Sequence, residues 1–253
     1  MRWLSKILRL TFVVTFAGVG GLTSEAIAAD RQSGRPVVVE LFTSQGCSSC
    51  PPADAYLGEL ARRDDVIALA YHVDYWDYIG WKDPFAVAEH TSRQRAYARA
   101  MGLRTIYTPQ MVLDGRVDAV GSRRSDVEAK IATVARLGPG ERVDVPVVLS
   151  VDAKGVLSIE VPAGSAGGSS DVWLVAYDDM HVTPVPRGEN QGRTLTDFNV
   201  VRALWRVGEW TGTALSERFD TTKWPIKADR VALLVQRKDA GPIVGAAGIP
   251  LKR

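Results

Sequence analysis

The pattern of apolar positions changes near the middle of the chain. In the first half, continuous apolar runs alternate with stretches in which apolar residues recur at helical spacing. In the second half, short apolar runs alternate with turn residues. Residues 37–42 form an apolar and largely β-branched run, which predicts a buried strand. Apolar residues then recur at helical spacing over 51–63, and a second apolar run follows at 66–73. A strand, a helix and another strand in close succession predict a βαβ unit with two parallel strands.

The rest of the first half predicts two more helices around a β-hairpin. A helix is expected over 85–101. An Asp-Gly turn at 114–115 joins the strand before it to a returning antiparallel strand at 117–120. Ser125 and Glu128 have the spacing of a capping box, and apolar residues at helical spacing follow them. This half is therefore predicted to be an α/β domain.

Beyond a Gly-Pro-Gly linker at 138–140, short apolar runs alternate with turn residues, which predicts an all-β region. The ambiguous segment 198–210 is assigned to a strand as well, and a polar loop is expected at 187–192. The other predicted strands are 143–151, 156–161, 171–178, 229–237 and 243–249. We therefore expect an α/β domain with a central mixed sheet flanked by helices over 36–137 and a mostly antiparallel β-sandwich over 141–253.

The first 28 residues have the composition of a secretory signal peptide. Three basic residues precede an apolar run of thirteen residues at 10–22, and Ala26-Ile27-Ala28 supplies small residues for cleavage. An uncleaved anchor is the alternative, but a membrane span needs about 20 apolar residues. The sequence thus predicts a periplasmic or secreted protein with no stable membrane span in the mature chain.

Charge excludes one class of partner. Removing residues 1–28 leaves 28 basic and 28 acidic residues, so the mature chain is formally neutral apart from its histidines and termini. No basic stripe is present, and nucleic acid is therefore not an expected partner. Export also matters for chemistry, because disulfides persist in oxidising compartments.

The only two cysteines of the chain, Cys47 and Cys50, lie between the first predicted strand and the first predicted helix. Unpaired N–H groups and the helix dipole stabilise a thiolate there, and the thiolate is the nucleophile in disulfide exchange. A structural disulfide is an alternative, although such a short loop constrains the unfolded chain weakly. A zinc site is disfavoured because the chain has no second cysteine pair and contains only three histidines.

The order strand, Cys-x-x-Cys, helix, strand, helix, Thr-Pro, β-hairpin and helix resembles the thioredoxin superfamily over 36–137. In that family a cis-proline faces the disulfide, and the resemblance assigns this role to Pro109 after Thr108. The resemblance also places Glu40 where the family often has a buried acid below the thiols. It implies protein thiols and disulfides as partners, and no cofactor.

A narrower resemblance comes from the signal peptide, the Cys-Ser-Ser-Cys-Pro-Pro segment at 47–52 and the residues that follow the second strand. These features resemble a branch of bacterial secreted proteins that have a thioredoxin-like domain and no assigned function. The supporting residues of the site are expected to be Gly46, Ser48, Ser49, His72, Asp74 and Trp76. Because Pro51 and Pro52 have no N–H, the helix is expected to begin near Ser49 or Cys50.

The leading hypothesis is a thiol–disulfide oxidoreductase in which Cys47 attacks a partner disulfide and Cys50 resolves the mixed disulfide. Glu40 would accept the proton that Cys50 loses. One alternative is a copper(I)-binding protein that uses Cys47, Cys50 and His72, since thiolates and imidazole suit Cu(I). The other alternative is a redox-inert binding module with a structural disulfide.

Overall fold

Strand β1, Val37–Thr43, is buried along its whole length and lies inside a large sheet. The computed structural model describes residues 34–138, 140–165 and 167–251. The predicted signal peptide, residues 1–28, lies outside the described residues. Among the residues that are described, no helix is long and apolar enough to cross a membrane.

The first half of the chain contains the predicted helices and strands. After β1 they are α1 Pro51–Leu60, β2 Val66–His72, α2 Ala88–Ala100, β3 Gln110–Leu113, β4 Val117–Val120 and α3 Arg124–Ala135, with a short 3-10 helix at Asp77–Ile79. Strands β1 and β2 are parallel and joined by α1, so the predicted βαβ unit is confirmed. The hairpin of β3 and β4 turns through Asp114 and Gly115, whose φ angles are +50° and +64°.

Helix starts differ in detail from the predictions. Helix α1 begins at Pro51 with Cys50 as its N-cap, because proline fits the first turn, where its missing N–H has no partner to lose. The capping box at Ser125 is wrong, since α3 has no side-chain cap on its first turn. Its expected partner, Glu128, instead accepts hydrogen bonds from Tyr56 at 2.7 Å and from Arg63 at 2.8 Å.

The second half contains strands and one 3-10 helix, Thr221–Lys223, within its described residues. The strands are β5 Val148–Val151, β6 Val156–Val161, β7 Ser170–Pro184, β8 Thr194–Trp210, β9 Leu215–Asp220, β10 Arg230–Arg237 and β11 Ile243–Pro250. The ambiguous segment 198–210 belongs to β8, so its assignment to a strand is confirmed. The run at 143–151 forms a strand from Val148 onward, and β9 was not predicted.

Strands from both halves form one eight-stranded sheet, in the order β11-β10-β7-β8-β2-β1-β3-β4. Strand β8 connects the halves: Val200 pairs in parallel with Ala70 of β2, and Asn199 Nδ2 donates to the carbonyl of Ala68 at 2.8 Å. The strands that were predicted to form a separate sandwich therefore extend the sheet of the α/β half.

The predicted sandwich is present in part. Strands β5, β6 and β9 form a second, antiparallel sheet. Its buried residues Leu157 and Ile159 belong to the same apolar core as Val172 and Leu174 of β7 and Val231 of β10. One layer of the sandwich is thus the small sheet, and the other layer is the outer part of the eight-stranded sheet.

The two faces of β1 belong to different cores. Val39 and Leu41 pack with Leu57 of α1, whereas Phe42 packs with Tyr97 of α2. Because side chains alternate along a strand, odd-numbered residues of β1 face α1 and even-numbered residues face α2. This alternation decides on which side of the sheet each polar residue of β1 lies.

Candidate functional site

The turn between β1 and α1 carries a disulfide bond between Cys47 and Cys50, whose Cα atoms are 5.4 Å apart. Cys50 is the N-cap of α1, so the bridge lies at the positive end of the helix dipole. Cys47 is 1 % exposed and Cys50 0 %, whereas Ser48 and Ser49 between them are exposed. Both cysteines are therefore enclosed in this oxidised form, although Cys47 was expected on the more exposed side of the turn.

A loop before β3 reaches the disulfide turn through a tryptophan. The Thr108–Pro109 peptide bond is cis, as the resemblance implied. Trp76 Nε1 donates to Thr108 Oγ1 at 2.8 Å. A Cβ atom at Gly46 would lie 3.1 Å from the Cβ of Trp76, so the backbone of the turn approaches Trp76 closely at this glycine. The structure thus brings four predicted residues together beside the disulfide turn.

Glu40 is not a free carboxylate below the thiols, and this prediction is corrected. It is fully buried on the even-numbered face of β1, toward α2, whereas the disulfide lies at the start of α1. Arg93 Nε donates to its carboxylate at 2.7 Å, and the hydroxyl of Tyr97 donates to the other oxygen. Glu40 therefore belongs to a buried ion pair on the opposite side of the sheet.

A buried acid in the helix that follows the disulfide is Asp54, which the sequence analysis missed. It lies one helical turn after Cys50, is 6 % exposed, and accepts a hydrogen bond of 2.6 Å from Thr43 Oγ1. Burial, followed by the charge of Asp197, raises the pKa of Asp54 to about 7. Its position in the first turn of α1, four residues after the second cysteine, was the available signal.

His72 forms a buried pair with Asp83 at the end of β2. Its Nδ1 lies 2.7 Å from Asp83 Oδ2, and its Nε2 has no hydrogen-bond partner among the described residues. Burial lowers the pKa of His72, but the carboxylates of Asp83, Asp197 and Asp54 outweigh burial and raise it to about 9. Burial acts to raise the pKa of Asp83, yet the charge and hydrogen bond of His72 hold it below its ordinary value.

Residues of the second half hold the disulfide turn in place. Asn190 Nδ2 donates to the carbonyls of Gln45 at 2.9 Å and of Cys47 at 3.0 Å. Ser48 N donates to the carboxylate of Glu189 at 3.1 Å. The loop between β7 and β8 therefore covers the turn that carries Cys47.

The side chain of Gln45 links this turn to three further groups. Its Nε2 donates to Asp197 Oδ2 at 2.7 Å, and its Oε1 accepts from Trp81 Nε1 at 3.1 Å. Its backbone N–H donates to Asp83 Oδ2 at 2.8 Å. Asp197 comes from β8 and Asp83 from the loop after β2, so segments far apart in sequence meet at one residue of the turn.

A family model described as "Protein of unknown function (DUF1223)" matches residues 38–236. The chain belongs to this family. No curated protein matches it. A crystal structure of a structural-genomics target from Agrobacterium tumefaciens is similar, with a TM-score of 0.72 and 32 % sequence identity over 85 % of this chain and 95 % of that one.

The family match covers every residue of the site described above, from β1 to the loop between β7 and β8. The sequence analysis missed Asn190, Glu189 and Asp197, because it treated the second half as a separate domain. The polar loop at 187–192 was recognised, but nothing local indicates that it contacts a turn about 140 residues earlier in the chain.

The copper ligand set is not assembled in this form of the protein. The two sulfurs are bonded to each other, and Nδ1 of His72 is engaged with Asp83. Within the part of the chain that the structure describes, no group of three or more His, Cys, Asp or Glu side chains has a metal-binding arrangement. Asp74 was predicted as a supporting residue of the site. Its carboxylate accepts a hydrogen bond from Thr91 Oγ1 of α2 at 2.5 Å.

Proposed function

We propose that the chain is an exported thiol–disulfide oxidoreductase with a thioredoxin-like first half. One observation carries the proposal: the Cys47–Cys50 disulfide lies at the N-terminus of α1, beside a loop that contains the cis Thr108–Pro109 bond. The resemblance of the first half to the thioredoxin superfamily is also supported by the parallel pairing of β1 with β2 and by the hairpin of β3 and β4. Export to the periplasm or the exterior rests on the signal peptide pattern at 1–28.

The proposed reaction moves two electrons between the cysteine pair and a partner protein. In the reduced form, the Cys47 thiolate attacks one sulfur of a partner disulfide, and the partner's other sulfur leaves as a thiolate. The Cys50 thiolate then attacks the sulfur of Cys47, which reforms the Cys47–Cys50 bond and releases the second partner thiolate. The pair is oxidised and the partner disulfide is reduced; the opposite direction oxidises a partner dithiol.

Asp54 is the proposed proton acceptor for Cys50, in place of Glu40. Cys50 must lose its proton before it attacks, and the raised pKa of Asp54, about 7, suits a group that accepts a proton near neutrality. Asp54 lies one turn after Cys50 on the same side of the sheet, and its backbone N–H donates to the Cys50 carbonyl at 3.1 Å. The start of α1 would stabilise the thiolate of Cys47.

A structural disulfide in a redox-inert protein is the second candidate, and the burial of both cysteines favours it. For the oxidoreductase, a partner protein has to reach Cys47, which is 1 % exposed and lies beside the loop that carries Glu189 and Asn190. Exposed Ser48 and Ser49 would then be the first contact of the partner with the turn.

The deciding experiment is redox equilibration of the purified chain in glutathione buffers, followed by alkylation and mass measurement. The proposal expects a reversible two-thiol change over glutathione ratios that model the periplasm, and a Cys50→Ala variant that accumulates mixed disulfides on Cys47. Cys47 should also be alkylated at lower pH than Cys50 when each is present alone. A disulfide that resists these buffers while the folded state persists would establish the structural role instead.

A further inference from the structure

The first turn of α1 has no backbone N–H group to spare for a sulfur atom. Its first two residues are Pro51 and Pro52, which have no N–H. The next two N–H groups, those of Ala53 and Asp54, both donate to the carbonyl of Cys50, at 2.8 Å and 3.1 Å. The dipole of α1 remains, but none of the first four residues of the helix can offer an N–H to a thiolate.

Three N–H groups of the turn before α1 are also engaged. Cys50 N donates to the carbonyl of Cys47 at 3.2 Å, and Cys47 N donates to the carbonyl of Ser44 at 3.1 Å. Ser48 N donates to the carboxylate of Glu189 at 3.1 Å. The backbone around the disulfide therefore leaves little with which to stabilise a negative charge on sulfur.

The hydroxyl of Ser49 is a polar group that does contact the reacting sulfur. Ser49 Oγ lies 3.3 Å from Cys47 Sγ. A disulfide sulfur has no hydrogen, so the hydroxyl is the donor in this contact. Ser48 is exposed as well, but in the described structure its hydroxyl contacts neither sulfur.

A hydroxyl in this position stabilises a thiolate more than it stabilises a disulfide. A disulfide sulfur is a weak acceptor, whereas a hydrogen bond to a charged group is roughly twice as strong as one between neutral groups. The contact therefore favours the reduced and ionised form of Cys47. Two effects follow: Cys47 ionises at a lower pH, and the cysteine pair is reduced more readily.

We propose that Ser49 is a catalytic residue of disulfide exchange, and that its hydroxyl donates to the Cys47 thiolate in place of the N–H groups that the two prolines lack. This inference rests on the proposed function. When Cys47 attacks a partner disulfide, the hydroxyl stabilises the attacking thiolate. In the opposite direction, it stabilises Cys47 as the thiolate that leaves when the two partner sulfurs bond to each other. Ser49 keeps its proton throughout, and the two electrons move only between the cysteine pair and the partner.

The first test measures ionisation of Cys47 in a Cys50→Ala background, which leaves one thiol in the chain. The ultraviolet absorbance of the thiolate is followed against pH, and a Cys47→Ser, Cys50→Ser variant serves as the blank for tyrosine ionisation. Ser49→Ala removes the hydroxyl and keeps the backbone N–H. It should raise the midpoint of the titration by about one pH unit, the size expected for one hydrogen bond to a charged group.

Two further variants separate the hydroxyl from a general effect of the turn. Ser49→Thr keeps a hydroxyl and should titrate as the parent does. Ser48→Ala removes the neighbouring exposed hydroxyl and should leave the midpoint unchanged. An unchanged midpoint in Ser49→Ala would overturn the proposal, and so would an equal shift in Ser48→Ala.

The second test uses the chain with both cysteines in glutathione buffers. Ser49→Ala should shift the equilibrium toward the disulfide, by up to about tenfold for each pH unit by which the midpoint rises. It should also slow exchange near neutral pH, and Ser49→Thr should restore both values.

The two tests distinguish a failure of this inference from a failure of the proposed function. Reversible exchange in the wild type, together with an unchanged midpoint and equilibrium in Ser49→Ala, would remove Ser49 from the reaction and leave the oxidoreductase standing. A folded wild type that does not exchange with glutathione would overturn the proposed function, and the catalytic role of Ser49 with it.

Discussion

Asp54→Asn should stabilise the oxidised protein, and the gain should increase with pH. Asp54 is buried and accepts a hydrogen bond from Thr43 Oγ1. Asparagine has nearly the same shape and keeps a carbonyl oxygen that can accept this bond. The substitution therefore removes one titrating charge and leaves the local packing in place.

The size of the effect follows from the pKa of Asp54 in the two states. Burial raises the pKa from 3.8 to about 7 in the folded protein, so the folded state binds the proton more tightly than the unfolded state does. Below about pH 4 both states are protonated, and the carboxyl costs no stability. Between pH 4 and 7 the wild type loses about 1.4 kcal/mol per pH unit, which reaches about 4 kcal/mol above pH 7.

The assay is urea unfolding of the oxidised wild type and the Asp54→Asn variant at five values from about pH 4 to about pH 8. The difference in the free energy of unfolding should be near zero at the lowest pH and several kcal/mol at the highest. Asp64→Asn, at an exposed position after α1, is the control and should change stability by less than about 0.5 kcal/mol throughout. A difference that stays constant with pH would refute the reasoning.

Three further predictions concern neighbouring residues. Asn190→Ala removes the side-chain donor of the Gln45 carbonyl and one of the two donors of the Cys47 carbonyl, which keeps its bond from Cys50 N. It should therefore cost about 1–3 kcal/mol in urea unfolding and speed reduction of the disulfide by dithiothreitol. Arg187→Ala, exposed in the same loop, should do neither. Glu40→Gln should lower the free energy of unfolding by about 3–5 kcal/mol, because Arg93 loses its buried counter-charge. The rate of exchange with glutathione should stay unchanged. A large drop in that rate would show that Glu40 is the proton acceptor after all. Asp54→Asn should slow the attack of Cys50 on the mixed disulfide at Cys47. It should also remove the inflection near pH 7 from the plot of that rate against pH. An unchanged plot would exclude Asp54 from the proton transfer.

Local patterns predicted the parts of the fold that depend on neighbouring residues. The βαβ unit, the Asp-Gly hairpin and the cysteine pair before α1 each involve a short stretch of chain whose periodicity or turn chemistry is visible in the sequence. The pairing of β8 with β2 could not be predicted in this way. It joins Val200 to Ala70, and neither residue carries a local signal for its partner.

The sequence also could not show which acidic side chain is buried on the disulfide side of the sheet. Glu40 has the same strand parity as Phe42, and alternation alone says that they share a face. The sequence does not say which face α1 covers, so an acid on β1 could be placed on either side of the sheet. Asp54 lies on α1 itself, and its burial depends on Thr43 and on residues brought in by β8.

The covering of the disulfide turn by the loop between β7 and β8 has a consequence for how such a protein can be inherited. A gene fragment that encoded the first half alone would lack Asn190 and Glu189, and it would expose the edge of β2 that β8 now protects. That fragment would be a poor module for transfer into other proteins, because the turn with its disulfide would be unsupported and its sheet would be prone to pair with other chains. The two halves are therefore expected to have been duplicated and selected together, which agrees with a family match that runs through both.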